Sequence, residues 1–191
     1  MLGIKDEEFI RGKVPMTKEE VRVLSISKLR PEKNAIIYDI GAGTGSVSIE
    51  MALLDSSIVV YAIERNEEAI SLMKANKEKF GCDNMHIVHA CAPDGLDSLP
   101  SPTHVFIGGS QGRLEEILDC LYKKNASCKV VMNAITMESI AQTHHILSTL
   151  PVCEPDLVQV QVSRVKEVGR YHMMKANNPV YIVSFRFRES V

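Results

Sequence analysis

Residues 35–54 read Ala35-Ile36-Ile37-Tyr38-Asp39-Ile40-Gly41-Ala42-Gly43-Thr44-Gly45-Ser46-Val47-Ser48-Ile49-Glu50-Met51-Ala52-Leu53-Leu54. The apolar residues Ala35, Ile36, Ile37 and Ile40 predict a buried parallel strand, and Ser46 to Leu54 predicts a helix. Between them, glycines at alternate positions let the backbone turn tightly and approach a ligand where a Cβ would collide. The loop runs into a helix N-terminus, where free N–H groups and the helix dipole favour negative charge. Its spacing is Gly-x-Gly-x-Gly. A dinucleotide fingerprint, Gly-x-Gly-x-x-Gly, needs a third glycine at position 46, where this chain has Ser46.

The next apolar run, Ile58-Val59-Val60-Tyr61-Ala62-Ile63, ends in Glu64. An acid there, about twenty residues past the loop, is placed to accept both hydroxyls of a ribose. Asp39-x-Gly41-x-Gly43-x-Gly45 with this following acid resembles the donor-binding motif of class I methyltransferases, which bind S-adenosylmethionine. The resemblance implies an α/β, Rossmann-like fold: a seven-stranded, mostly parallel sheet, its last strand antiparallel, with helices on both faces.

At 191 residues one domain is expected. It divides into an N-terminal cap segment and helix (1–33), a donor-binding core (34–150) and a C-terminal antiparallel strand pair (151–191). No apolar run approaches a membrane span, and residues 1–11, with Asp6, Glu7 and Glu8, lack an apolar signal core. Cys82, Cys91, Cys120, Cys128 and Cys153 form no C-x-x-C unit, which fits reduced thiols of a cytoplasmic protein. The net charge of −2 is unevenly spread: +2 over 1–33, −8 over 34–159 and +4 over 160–191. That argues against a nucleic-acid binder, which needs an extensive basic surface, and fits either a confined basic site or a solvated basic edge strand.

Along the chain, Thr17-Lys18-Glu19-Glu20 predicts a helix opened by a capping box of Thr17 and Glu20, with Val21, Leu24 and Leu29 inward and Pro31 marking its end. Asn66 caps a helix carrying Ala69, Ile70, Met73 and Phe80, and Gly81 closes it. Met85 to Ala90 is a strand, followed at its C-terminal end by Cys91-Ala92-Pro93-Asp94-Gly95. His104 to Ile107 is another, leading to Gly108-Gly109-Ser110-Gln111-Gly112. A helix from Arg113 to Lys123 buries Leu114, Ile117, Leu118 and Leu121. A strand at Val130, Val131 and Met132 precedes Asn133 and a helix from Thr136 to Leu150. Leu157 to Val165 alternates like a half-exposed strand; a Gly-, Lys- and Asn-containing loop reaches Asn178, and Pro179 to Phe187 closes the sheet. In a doubly wound sheet ligands lie across the strand C-termini, the edge shared by Gly41, Glu64 and Ala92.

Enzymes that methylate nucleobase amino groups carry an Asn/Asp-Pro-Pro-aromatic loop after the fourth strand; Gly108-Gly109-Ser110-Gln111-Gly112 suits a large flat acceptor better. The set Asp6-Glu7-Glu8-Phe9-Ile10, Val14-Pro15-Met16-Thr17-Lys18-Glu19-Glu20-Val21-Arg22, Asp39 to Gly45, Ala62 to Asn66, Ala92-Pro93-Asp94 and Ile107 to Ser110 resembles the decarboxylating cobalt-precorrin methyltransferases of anaerobic cobalamin biosynthesis. Those enzymes alkylate carbon 15 of the macrocycle. The resemblance covers nearly the whole chain and is weakest in the last thirty or so residues. It implies S-adenosyl-L-methionine contacts at Thr17, Gly41, Ala42, Gly43, Thr44, Gly45, Glu64 and Ala92; the strand-end position separately places Ala92 to offer backbone groups to an adenine and Asp94 to reach it through its side chain. It also implies a homotetramer and a tetrapyrrole substrate; charge and hydropathy, as above, point to no nucleic-acid or membrane partner.

The acetates and propionates of such a substrate call for cationic anchors. Arg22, Arg113, Arg164, Arg170 and Lys175 are candidates, beside a floor of Gly108, Gly109 and Ser110. Decarboxylation draws electrons into the conjugated ring and is helped by an acid, for which Tyr171 and His172 are candidates. No metal site is expected: His144 and His145 are adjacent on a helix, and His89-x-Cys91 is a single pair. Cobalt would arrive within the substrate. A different acceptor such as RNA, or a non-catalytic donor-binding subunit, stays open.

Overall fold

The computed structural model describes residues 2–188. β1 (Ile36–Ile40) lies near the middle of a seven-stranded sheet ordered β3-β2-β1-β4-β5-β9-β6. It pairs in parallel with β2 (Val59–Glu64) and β4 (His104–Ile107); β2 pairs with β3 (Met85–His89) and β4 with β5 (Lys129–Ala134), also in parallel. β9 (Val180–Phe187) runs antiparallel to both β5 and β6 (Val152–Val160), as expected for the closing strand.

Successive β1 side chains point to opposite faces, so two apolar layers form. Ile37 packs with residues of α1 (Glu19–Leu29), α2 (Ser46–Ala52) and α3 (Glu67–Phe80). Tyr38 and Ile40 pack with α4 (Leu114–Lys124) and α5 (Met137–Thr149). Where a helix end is set by adjacent residues, the sequence reading holds. The Asn66 side chain accepts the Ala69 N–H at 3.0 Å, Gly81 closes α3 with φ +63°, and α5 starts where expected, just after Thr136, whose hydroxyl also accepts the Ser139 N–H at 3.1 Å.

Two local expectations fail. Thr17 is not the cap of α1: the position belongs to Lys18, whose side chain makes no cap bond, and the Glu19 N–H donates instead to Asp6 Oδ1 at 3.0 Å. An acceptor thirteen residues upstream has displaced the local one. The proposed strand Leu157 to Val165 breaks after Val160, and the expected loop beyond it is a β-hairpin arm of β7 (Ser163–Val168) and β8 (Tyr171–Ala176). Gly169 supplies the turn with φ +62°. Alternation continued across the break, and Gly169, Lys175, Asn177 and Asn178 in and around β8 concealed a strand exposed along its whole length. No helix among the described residues is long and apolar enough to cross a membrane.

Candidate active site

The C-terminal ends of β1 to β5 surround a cavity of about 490 Å³. Gly41 and Ala42 both donate to the Ile63 carbonyl, at 2.9 and 3.1 Å, which ties the glycine loop to the end of β2. Gly41, Gly43 and Gly45 have φ of +72°, +56° and +78°, a region that L side chains avoid. Their surroundings differ. A Cβ at Gly41 would lie 2.6 Å from the Gly109 oxygen, so this glycine lets the β1 and β4 loops touch backbone to backbone. One at Gly43 would lie 3.2 Å from the Pro15 oxygen, on the cavity side. One at Gly45 would lie 2.6 Å from Met73 Cγ, inside the core.

Gly41, Ala42 and Gly43 accordingly line the cavity, whereas Thr44 and Gly45 are not among its walls. Thr44 is buried and its Oγ1 has no hydrogen-bond partner in the fold. The ends of β2 and β3 contribute Glu64 and Ala92, and the β4 loop contributes Gly108, Gly109 and Ser110. Thr17 lines the same cavity, together with Val14, Pro15 and Met16.

Glu64 is held by backbone. Its Oε2 accepts the Gly43 N–H at 2.9 Å; its Oε1 accepts the Arg65 and Asn66 N–H groups at 2.8 and 2.9 Å. A carboxylate offers about four acceptor positions, so one stays open toward the cavity it lines. Asp39, behind the loop, is fully buried. Burial pushes its carboxyl from 3.8 up to about 7, against the opposing pull of the Ser48 hydroxyl that donates to Oδ2; the Glu64 charge pushes the same way as burial.

Several predicted residues stand elsewhere. Arg22 is not a substrate anchor: its guanidinium is fully buried. Nε donates to Glu50 Oε1 at 2.6 Å, and Nη1 donates to the Thr17 carbonyl at 2.7 Å and to Asp6 Oδ1 at 3.2 Å. Its charge is consumed by an internal partner twenty-eight residues away. Arg113 sits at the rim but outside the cavity walls, paired with Asp94 and Glu116, each at 2.8 Å. This pairing holds Asp94 below the usual carboxylate range. Tyr171, His172, Arg170 and Lys175 lie on the exposed arm, and Arg164 there pairs with Glu20 at 2.6 Å. None of these arm residues lines the cavity.

Other wall residues escaped the sequence reading. Asn133, at the end of β5, lines the cavity beside Ile135. The Ser25 hydroxyl is 2.7 Å from the Val21 carbonyl and 3.1 Å from the Asn133 amide. The contacting atom of Asn133 is Oδ1, an acceptor, so the single Ser25 hydroxyl proton is shared between the Val21 and Asn133 oxygens. Arg65 donates to Gln111 Oε1 at 2.8 Å across the rim. The only available signal was position: strand C-termini converge on this edge. Among the described residues no three His, Cys, Asp or Glu side chains gather as a metal site would need.

The arrangement fits an adenosyl sulfonium donor. Glycine backbone replaces side chains along one wall, an acid with an open acceptor position stands at the β2 end, and the cavity has the size of small-molecule sites. A cobalt-precorrin-6B C(15)-methyltransferase (decarboxylating) from Salmonella typhimurium is 39% identical over 189 residues, 98% of this chain and 97% of the relative. A precorrin-6y C5,15-methyltransferase crystal structure from Geobacter metallireducens superposes with TM-score 0.91 at 38% identity, covering 98% of this chain and 97% of that one. The precorrin-8w decarboxylase from Methanobacterium thermoautotrophicum superposes with TM-score 0.85 at 32% identity, covering 95% and 98%. Residues 8–186 match the precorrin methyltransferase domain, and the chain belongs to the precorrin methyltransferase family.

Proposed function

We propose that this chain, as one catalytic domain, is an S-adenosyl-L-methionine-dependent enzyme that methylates a cobalt-precorrin at carbon 15 and removes carbon dioxide from a ring acetate. The carrying observation is the 39% identity to a decarboxylating C(15)-methyltransferase over 98% of the chain. The cavity at the strand C-termini supports it. When bound, S-adenosyl-L-methionine supplies an electrophilic methyl group on a cationic sulfur.

The residues divide the work. Thr17, Gly41, Ala42, Gly43 and Ala92 form the donor's walls, with Thr44 and Gly45 shaping the loop from behind. Glu64 takes one ribose hydroxyl on its open acceptor position while its bond to Gly43 stands. Gly108, Gly109 and Ser110 give a nearly side-chain-free floor for a flat macrocycle, and Asn133 presents a polar group at its far side. Holding an electron-rich meso carbon against the methyl supplies most of the acceleration, since such a carbon needs no strong base. Loss of carbon dioxide leaves its electron pair in the ring system, which then takes up a proton.

The same reading makes the enzyme a cytoplasmic homo-oligomer, a tetramer by resemblance. The β7–β8 arm supports this: two-stranded ribbons are marginal alone, and this one exposes Val165, Val168, Tyr171, Met173 and Met174. Sedimentation of a chain lacking 163–176 tests it, an unchanged mass excluding the arm as the interface. The activity is tested by incubating the protein with cobalt-precorrin-6B and donor. Mass spectrometry showing methyl gain together with carbon dioxide loss is expected; an unaltered tetrapyrrole rejects the reading.

A further inference from the structure

Between Ile10 and Lys18 the chain forms neither helix nor strand, yet Val14, Pro15, Met16 and Thr17 make one wall of the cavity. Both ends of this strap are held by buried side chains. At the far end is Asn76 of α3, fully buried. Its Oδ1 accepts the Ile10 N–H at 2.7 Å, and its NH₂ donates to the Ile10 carbonyl at 3.0 Å and to the Thr44 carbonyl at 3.1 Å. One side chain thus pairs with the strap as a neighbouring strand would and grips the glycine loop as well. At the near end Arg22 holds the Thr17 carbonyl while Glu50, equally buried, accepts the Gly3 and Ile4 N–H groups at 3.1 and 3.0 Å.

We infer that Asn76 and the Arg22–Glu50 pair are positioning residues for donor binding, acting by seating strap residues 11–17 against the glycine loop. The inference rests on the donor reading of the cavity. An irregular segment that a ligand must order takes that ordering free energy out of the affinity; one seated beforehand does not. Asn76 is the more telling pin, because its three bonds join the strap to the glycine loop, whose Gly41 to Gly43 line the same cavity.

A control separates this role from general stabilisation. Asn84 also spends its amide on remote carbonyls, Ile58 at 2.8 Å and Ala52 at 3.0 Å, but stands just before β3, at the opposite end of the sheet from the cavity. Donor dissociation constants from calorimetry, and donor KM against kcat, are measured for wild type, Asn76→Ala and Asn84→Ala. The expected result is at least a tenfold rise in donor Kd and KM for Asn76→Ala, with kcat at saturating donor within about threefold, and no such rise for Asn84→Ala despite a comparable fall in Tm. If Asn76→Ala fails to fold, Ile10→Pro removes one clamp bond without touching α3; Phe9 at φ −83°, ψ 140° already suits a following proline. It is expected to raise donor KM by at least tenfold as well. Unchanged donor affinity in the variant tested, or an equal change in Asn84→Ala, overturns the inference. Absence of donor binding by the wild-type protein overturns the donor reading itself, and is read before any substitution is made.

Discussion

Glu64 Oε2 accepts the Gly43 N–H at 2.9 Å, joining the acid at the end of β2 to the glycine loop after β1. One carboxylate therefore fixes the loop's shape and faces the cavity. Glu64→Ala removes charge-assisted bonds of about 1.5–3 kcal/mol each, and donor affinity measured by calorimetry is expected to fall roughly ten- to a hundredfold. An unchanged dissociation constant removes Glu64 from the donor site.

Gly41 and Gly109 provide an opposed pair. Gly41→Ala combines a φ of +72° with a Cβ 2.6 Å from the Gly109 oxygen. The backbone strain alone is about 1–2 kcal/mol, and neither loop backbone can yield cheaply. Loss of donor binding and a stability decrease of at least ~1–2 kcal/mol are expected by chemical denaturation. Gly109→Ala meets no atom within 4 Å and has no positive φ, so its stability is expected to stay within about 0.5 kcal/mol of wild type. Equal stability of the two variants would refute the close-approach account.

Asp39 makes stability depend on pH. Its folded-state pKa of about 7 lies above the ordinary 3.8, so the native state binds the extra proton between these values. The associated stabilisation is complete below about pH 4 and is lost as pH rises through 7. Asp39→Asn removes this dependence. Urea denaturation at pH 5 and pH 8 should show the variant gaining on wild type by a few kcal/mol at the higher pH. Parallel pH profiles would show that Asp39 is ionised in the fold throughout.

Arg22→Met leaves Glu50 buried without its counter-charge. Breaking a buried pair from one side costs about 3–5 kcal/mol, a large part of a domain's stability. Denaturant unfolding is expected to register a loss of that order, and a change below about 1 kcal/mol would mean that water replaces the guanidinium.

The sequence by itself determined the parts governed by neighbouring residues. The β1 apolar run, the glycine loop, the Glu64 strand end, the Asn66 cap, the helix start at Thr136 and the parallel α/β order all follow from spacing and backbone chemistry within a few residues. What only tertiary structure decided depends on partners distant in the chain. Arg22 read as a surface anchor because Glu50, its partner, is twenty-eight positions away. Thr17 read as a cap because the competing acceptor, Asp6, precedes it by more than two helical turns. Asn133 and Asn76 carried no motif, since an amide's role is set by what the fold places beside it. The arm was hidden because both its strands are exposed along their whole length, so no buried face imposes an apolar period on them. Local pattern encodes backbone conformation; the pairing of buried polar groups is a property of the closed sheet.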